Sequence, residues 1–386
     1  MTRVSPGTAV QQPEWPDPPQ ALRARAALAS RPALVRSEDL RELRSLLAEV
    51  ASGHALIVQA GDCAEDPEEC GAGAVGRKVA LLDMLAGTLG LTTGKPVLRA
   101  GRIAGQFAKP RSSPVEHVDG LEVPAYRGHL VNGPEPCPLG RRPDPLRLLI
   151  GYMAAADIME HLGWRDGNPA HGLERPVWTS HEALLLDYER PLLRRDDEGR
   201  PFLGSTHWPW IGKRTSQADG AHAALLAEVL NPVACKVGPD TTPAALLALC
   251  ERLDPGREPG RLTLISRMGA DLVADRLPPL VRAVRDAGHP VCWICDPMHG
   301  NTVVAPGGRK TRIVGTLRRE VVLFRRAVEA AGGVAAGLHL ETTPDEVTEC
   351  ATDPSDLARV GDGYTSLCDP RLNPQQALSV VAAWRG

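Results

Sequence analysis

The stretch Pro290-Val291-Cys292-Trp293-Ile294-Cys295, running straight into Asp296-Pro297-Met298-His299-Gly300-Asn301, decides the fold. Its first half is apolar and long enough for one strand buried on both faces, and its second half changes abruptly to turn formers and metal- or anion-binding groups. The same transition recurs along the chain. Residues 54–60 run into Gly61-Asp62-Cys63-Ala64-Glu65, residues 96–100 into Arg102, residues 176–179 into Ser180-His181-Glu182, and residues 206–211 into Gly212-Lys213-Arg214-Thr215. Residues 232–237 close on Lys236, residues 262–266 lead to Arg267-Met268-Gly269, and residues 336–341 end on Glu341. Helical periodicity occupies the gaps, over 75–89, 144–162, 181–188, 221–230, 242–253, 278–287 and 317–331. Strands that alternate with helices pair in parallel, and eight such units close on themselves. The expected fold is therefore α/β, a (β/α)8 TIM barrel whose active site lies at the C-terminal ends of its strands.

Ahead of the first strand, helical spacing covers 21–29 and 37–50, the second opened by Ser37 as an N-cap with Asp39 close behind. Residues 1–20 hold five prolines and no apolar periodicity, and read as an arm that docks or stays loose. The expected division is an N-terminal arm with a helical extension over 1–53 and a barrel over 54–386, with a loop insertion between strands two and three around the proline-rich 134–145. Gly71-Ala72-Gly73-Ala74-Val75-Gly76 has the G-x-G-x-x-G spacing but comes after an acidic loop, so it reads as a flexible loop before a helix.

A formal net charge of -3 excludes nucleic acid as a partner on charge. No apolar run reaches the roughly 18 residues of a membrane span, and residues 1–20 lack the order of a signal peptide, so no membrane is expected and the cytoplasm is. The nine cysteines, an odd number, argue against a disulfide framework. Cys292 and Cys295 form C-x-x-C inside a strand, where positions three apart face opposite ways, and core packing is the expected role.

Cys63, His299, Glu341 and Asp369 stand at or just past strand ends. Thiolate, imidazole and two carboxylates suit a divalent transition metal with a position left open for substrate; the competing reading is four unrelated core and loop residues. Arg102, Lys109, Arg111, Arg214, Lys236, Arg267 and Lys310 place cations on the same face of a net-negative protein, a field aimed at phosphates and carboxylates rather than a set of solvated bases. Lysine is scarce, at Lys78, Lys95, Lys109, Lys213, Lys236 and Lys310 only. Lys236 lies in the apolar run Val233-Ala234-Cys235-Lys236-Val237, which forces it inward or into a pair.

These motifs, together with Arg102 to Ser112, Trp178-Thr179-Ser180-His181-Glu182-Ala183 and Cys368-Asp369-Pro370-Arg371-Leu372-Asn373, resemble the type II (plant-like) 3-deoxy-D-arabino-heptulosonate 7-phosphate (DAHP) synthases, from about residue 20 to the C-terminus. The resemblance implies a transferase of the first shikimate step, leading to chorismate and the aromatic amino acids: phosphoenolpyruvate and erythrose 4-phosphate condense with water to DAHP and phosphate. It implies Cys63, His299, Glu341 and Asp369 as ligands of Mn or Co. Arg102, Lys213, Arg214, Lys236 and Arg267 become phosphoenolpyruvate contacts, and Lys109 and Ser112 erythrose 4-phosphate contacts. Lys236, Arg267, Cys63 and His299 are the expected catalytic set. Lys213 stands where the family pattern has Glu, and Pro209 interrupts the apolar run of strand four. The short chain implies an unregulated form of a secondary-metabolite pathway. Two alternatives stay open, an aminoDAHP synthase taking an imino sugar phosphate and a catalytically silent relative that binds a partner such as a chorismate mutase. A homo-oligomer is expected from the exposed arm.

Overall fold

The computed structural model describes residues 9–118, 120–164 and 177–385. Eight parallel strands form one sheet: Leu56–Gly61, Val97–Arg102, Trp178–Thr179, Trp210–Ile211, Val233–Val237, Leu262–Ser266, Cys292–Cys295 and Val334–Glu341. Numbered one to eight in that order, they lie side by side as 3-2-1-8-7-6-5-4. Strands three and four, at the two edges, are tied by a parallel bridge between Glu182 and Trp210 and by backbone bonds from Ala183 to Trp210 and from Trp210 to His181, both 3.0 Å. The curled sheet with its surrounding helices is an α/β, TIM-barrel-like fold. Pro176, expected in strand three, lies outside the described residues.

The strands form where the sequence places them because most of their side chains are apolar and buried, each valine, isoleucine or leucine contributing about 1.5–3 kcal/mol on burial. Register then aligns their ends. Gly61 pairs with both Glu341 and Arg102, so strands eight, one and two finish level. Gly61 has φ +146°, and a Cβ there would lie 2.8 Å from the Arg102 carbonyl oxygen, so only glycine lets these two ends approach. Cys292 and Cys295 are buried free thiols within the core, as their strand position implied.

Several local expectations change. Residues 181–185 are not helical, because the edge pairing with Trp210 holds them extended; only Leu186–Glu189 forms a short helix. Strand four is confined to Trp210–Ile211, and Pro209, which has no N–H to give, accepts from Ala234 through its carbonyl at 3.1 Å. The glycine-rich run is no flexible loop: Gly71 is the N-cap and Gly73 and Gly76 lie inside the helix Ala72–Thr93. The helix Val273–Asp286 starts ahead of Pro278 and Pro279 and carries both inside it. Arg36, not Ser37, caps the helix Ser37–Ala51, with the Asp39 carboxylate accepting from the Arg36 backbone.

The helices Pro18–Ala29 and Ser37–Ala51 bury Leu28, Leu40, Leu43, Leu47 and Val50 in the same core as the strands. The described part of the arm docks on its own chain. Gln12 donates to the Leu184 carbonyl and accepts from the Leu186 N–H, both at 2.9 Å, and the Trp15 indole donates to Asp187 at 2.7 Å. The described part of the arm is thus tied to its own chain through Gln12 and Trp15, while Glu14, Pro16 and Asp17 stay exposed. Residues 1–8 lie outside the described residues. Between strands two and three stand the hairpin strands Val115–Val118 and Leu121–Pro124 and the helix Arg147–His161. No helix among the described residues is long and apolar enough to cross a membrane.

Candidate active site

The strand ends open into a cavity of about 480 Å3. Strands two and five contribute Arg102 and Lys236 to its lining, the turns just past strands four and six contribute Lys213, Arg214 and Arg267, and the loops after strands two and seven contribute Lys109 and Lys310. Against these seven cations stand Glu182, Asp240 and Asp369. Six of the seven cations expected on this face line the cavity, and Lys213 joins them. Arg111 does not: it pairs with Glu116 in the hairpin. Ser112 is exposed and outside the lining.

Cys63, Glu341 and Asp369 meet at one corner, each offering a ligand atom within 4.8 Å of the other two. The Cys63 thiol lies 3.8 Å from Asp369 Oδ2 and accepts the Asp369 backbone N–H at 3.2 Å. His299 Nε2 is 3.2 Å from Glu341 Oε1, so the fourth expected ligand is brought to the same corner. The opposite ring nitrogen, Nδ1, lies 2.8 Å from Asp296 Oδ2. An Nδ1–H donated to Asp296 leaves the Nε2 lone pair facing Glu341, the orientation that a metal-ligating histidine needs. The donor set and its convergence therefore fit a divalent metal.

Electrostatics keep the carboxylates charged. Burial opposes ionisation of Glu341, but His299, Lys109, Arg312 and Arg102 outweigh it and hold its carboxyl well below the usual range. Burial likewise opposes Asp369, and Lys109 leads the groups that pull it down. The Cys63 thiol is pushed up, by burial first and then by its bond with Cys368 and the nearby Glu341 charge.

The cations divide into two groups. Arg102 and Lys109 are spent largely on protein carboxylates. Arg102 donates to Glu341 at 3.0 Å, to the Asp62 carbonyl at 3.0 Å and to His339 Nε2 at 2.6 Å, and Lys109 Nζ lies 3.6 Å from both Glu341 and Asp369. Lys236 is 7% exposed and donates to Asp296 at 2.9 Å. Burial lowers the pKa of its ammonium, with Asp296 opposing that shift. Arg267 donates to the His299 carbonyl at 2.6 Å, which ties strand-end loops six and seven together. Lys213 pairs with Asp240 at 3.1 Å, and Arg214 is exposed at the cavity.

Profile comparison gives these residues a family. The Class-II DAHP synthetase family model matches residues 2–165 and 157–383. The chain belongs to the class-II DAHP synthetase family. It is 61% identical, over all of its length and 96% of the relative's, to a Pseudomonas fluorescens protein named "Probable phospho-2-dehydro-3-deoxyheptonate aldolase". It is 39% identical to the phospho-2-dehydro-3-deoxyheptonate aldolase of Streptomyces coelicolor, over 97% of this chain and 94% of that one. A solved structure of the phospho-2-dehydro-3-deoxyheptonate aldolase from Francisella tularensis superposes with a TM-score of 0.55 over 94% of this chain and 97% of that chain. At 14% identity that likeness concerns the fold alone. Class-II membership at this identity over the whole chain makes the protein an enzyme, a transferase of the DAHP synthase kind.

Sequence reasoning missed the polar chain inside the barrel. Gln59 donates to Ser180 at 2.7 Å and accepts from His339 Nδ1 at 2.5 Å, and His339 Nε2 accepts from Arg102. A signal was present: His339 sits two residues before Glu341 and so shares its face. Arg312, fully buried, pairs with Glu341 at 2.9 Å, and Arg371 joins Asp62 to Glu349, at 2.8 and 2.9 Å. No local pattern marked Arg312, and Arg371 stood inside the quoted motif Cys368 to Asn373 without a role assigned to it.

Proposed function

We propose that this family member is a metal-dependent type II DAHP synthase that condenses phosphoenolpyruvate with erythrose 4-phosphate and water, releasing phosphate. The observation that carries the reading is one cavity in which a thiol, imidazole and carboxylate cluster adjoins seven cationic side chains. Two phosphorylated substrates would need that charge, which exceeds the three carboxylates of the cavity lining.

Cys63, His299, Glu341 and Asp369 would hold the metal, Mn or Co, which supplies Lewis acidity toward the aldehyde oxygen. Lys213, Arg214, Lys236 and Arg267 would bind the phosphate and carboxylate of phosphoenolpyruvate and orient its nucleophilic carbon. Arg102 would act mainly by holding Glu341. Lys236, its proton affinity reduced by burial, would manage a proton close to the attacked carbon. Lys109 and Lys310, near Asp369, would face the sugar phosphate. The resemblance further supports a form without aromatic feedback that feeds a secondary-metabolite pathway, and the lack of a signal-peptide order in residues 1–20 supports a cytoplasmic one.

The test is phosphate release from phosphoenolpyruvate, with and without erythrose 4-phosphate, after chelation and after Mn or Co is restored. Release that requires both aldehyde and metal supports the reading. Folded protein that releases none with either metal overturns it, and rates unchanged in Lys236→Met remove the proton role. Addition of phenylalanine, tyrosine or tryptophan tests the absence of feedback.

A further inference from the structure

Glu320 lies in the helix Val314–Ala330, outside the cavity, and is fully buried. Among the described residues it has no ion pair, and a buried carboxylate without a counter-charge costs several kcal/mol. Its bonds show where that cost is recovered. One oxygen accepts the Gly269 backbone N–H at 2.9 Å, and the other accepts from Asn301 Nδ2 at 2.5 Å. Gly269 lies two residues past Arg267, and Asn301 two residues past His299. One carboxylate thus grips both loops that lead into the active site, from behind.

The two loops touch directly at the same place. A Cβ on Gly300 would lie 2.3 Å from the Gly269 nitrogen, and one on Gly269, where φ is +88°, would lie 2.9 Å from the Gly300 oxygen. Asn301 adds two more bonds, accepting from the Ala270 N–H at 3.0 Å and donating to the Pro297 carbonyl at 2.7 Å. Those bonds fix which way its amide faces. Both groups aimed at Glu320 are therefore donors, and a carboxylate is the side chain of this length that offers an acceptor on each branch.

We propose that Glu320 is a positioning residue for the condensation, a clamp that fixes Arg267 and His299 relative to each other by accepting from both of their loops. The inference rests on the functional reading above, in which Arg267 binds phosphoenolpyruvate and His299 holds the metal. It also accounts for a carboxyl group in the core where a leucine would otherwise stabilise the helix. Burial pushes the carboxyl up to about 7, against the bonds from Gly269 and Asn301, with Asp296 adding to the rise.

The test is Glu320→Gln, which keeps volume but turns one acceptor into a donor facing a donor. The expected result is a KM for phosphoenolpyruvate raised about tenfold, as small misplacement of a binding group predicts, with KM for erythrose 4-phosphate within about twofold because Lys109 stands on the loop after strand two and Lys310 lies nine positions past Asn301 on a hairpin strand of its own. Amide hydrogen exchange should quicken in 266–272 and 297–302 and stay unchanged elsewhere. Asn301→Ala, which frees one arm and leaves Glu320 in place, should quicken the same two segments and serves if the first variant does not fold. Equal changes in both KM values with a general loss of exchange protection would reduce Glu320 to a core residue and overturn the proposal. Exchange unaltered in both variants would overturn it whatever the kinetics. A wild-type protein without synthase activity would instead sink the functional reading, and the role in the condensation with it, leaving exchange to decide the clamp alone.

Discussion

Asp296 illustrates how one side chain sets the state of two others. It is fully buried, holds Lys236 at 2.9 Å and the His299 ring at 2.8 Å, and accepts from the backbone of Met298 and His299. Burial opposes its charge, but His299 and Lys236 hold its carboxyl well below the usual range. Asp296→Asn should weaken metal binding by about 10- to 100-fold, as loss of a ligand's orienting partner does, measured by Mn equilibrium dialysis alongside turnover. His207 provides a pH test away from the site. Buried against Trp164 and Trp178 and bonded to Thr179, it has its pKa lowered to about 3, chiefly by burial. The folded state therefore binds fewer protons than the unfolded one. Its contribution is complete above the unfolded value of about 6.5 and is lost as pH falls from there toward 3. Unfolding free energies from urea titrations should drop between pH 7 and pH 5 with a His207 contribution on the order of 1 kcal/mol per pH unit, and less steeply in His207→Asn.

Elements place these residues, and glycines decide how closely elements meet. At Gly61 a side chain would strike strand two in a left-handed conformation. Gly61→Ala should destabilise by about 1–3 kcal/mol and separate Cys63 from Glu341, with activity falling further than stability. In the middle of the helix Ala72–Thr93, Gly87 is exposed and has nothing within 4 Å of its would-be Cβ. Gly87→Ala should stabilise by about 0.5–1 kcal/mol with kinetics unchanged, read from paired urea titrations. All eight strands were legible from the sequence, because apolar runs ending in polar motifs report burial directly. The helix expected over 181–188 was not, because its apolar spacing fits either state and only the Trp210 edge selects the extended one. Strands three and four reduce to two residues each for the same reason: their pairing is tertiary.

The whole molecule brings residue 63 to residue 369 and closes both over Glu341. Binding a metal there should tie the first strand to the C-terminal loop, so Mn at about 100 times its Kd should stabilise by about 2.7 kcal/mol. The expected readout is a rise in Tm with Mn that chelation reverses and Cys63→Ala abolishes. An unchanged Tm in wild-type protein would count against the ligand set. The sequence alone determined the strand count, the order of strands and helices, and the fact that chemistry gathers at strand ends, since each of these is written in local periodicity and in the polar residues at the end of each apolar run. Only the tertiary structure decided which charges meet. Arg102 reaches Glu341 across 239 positions and Arg371 reaches Asp62 across 309, so nothing local marks them as partners. It likewise decided that Arg102 and Lys109 serve the carboxylates while Arg214 stands exposed at the cavity, and that Glu320 lies beneath two loops. A buried charge takes its meaning from the groups that surround it, and those are set by packing.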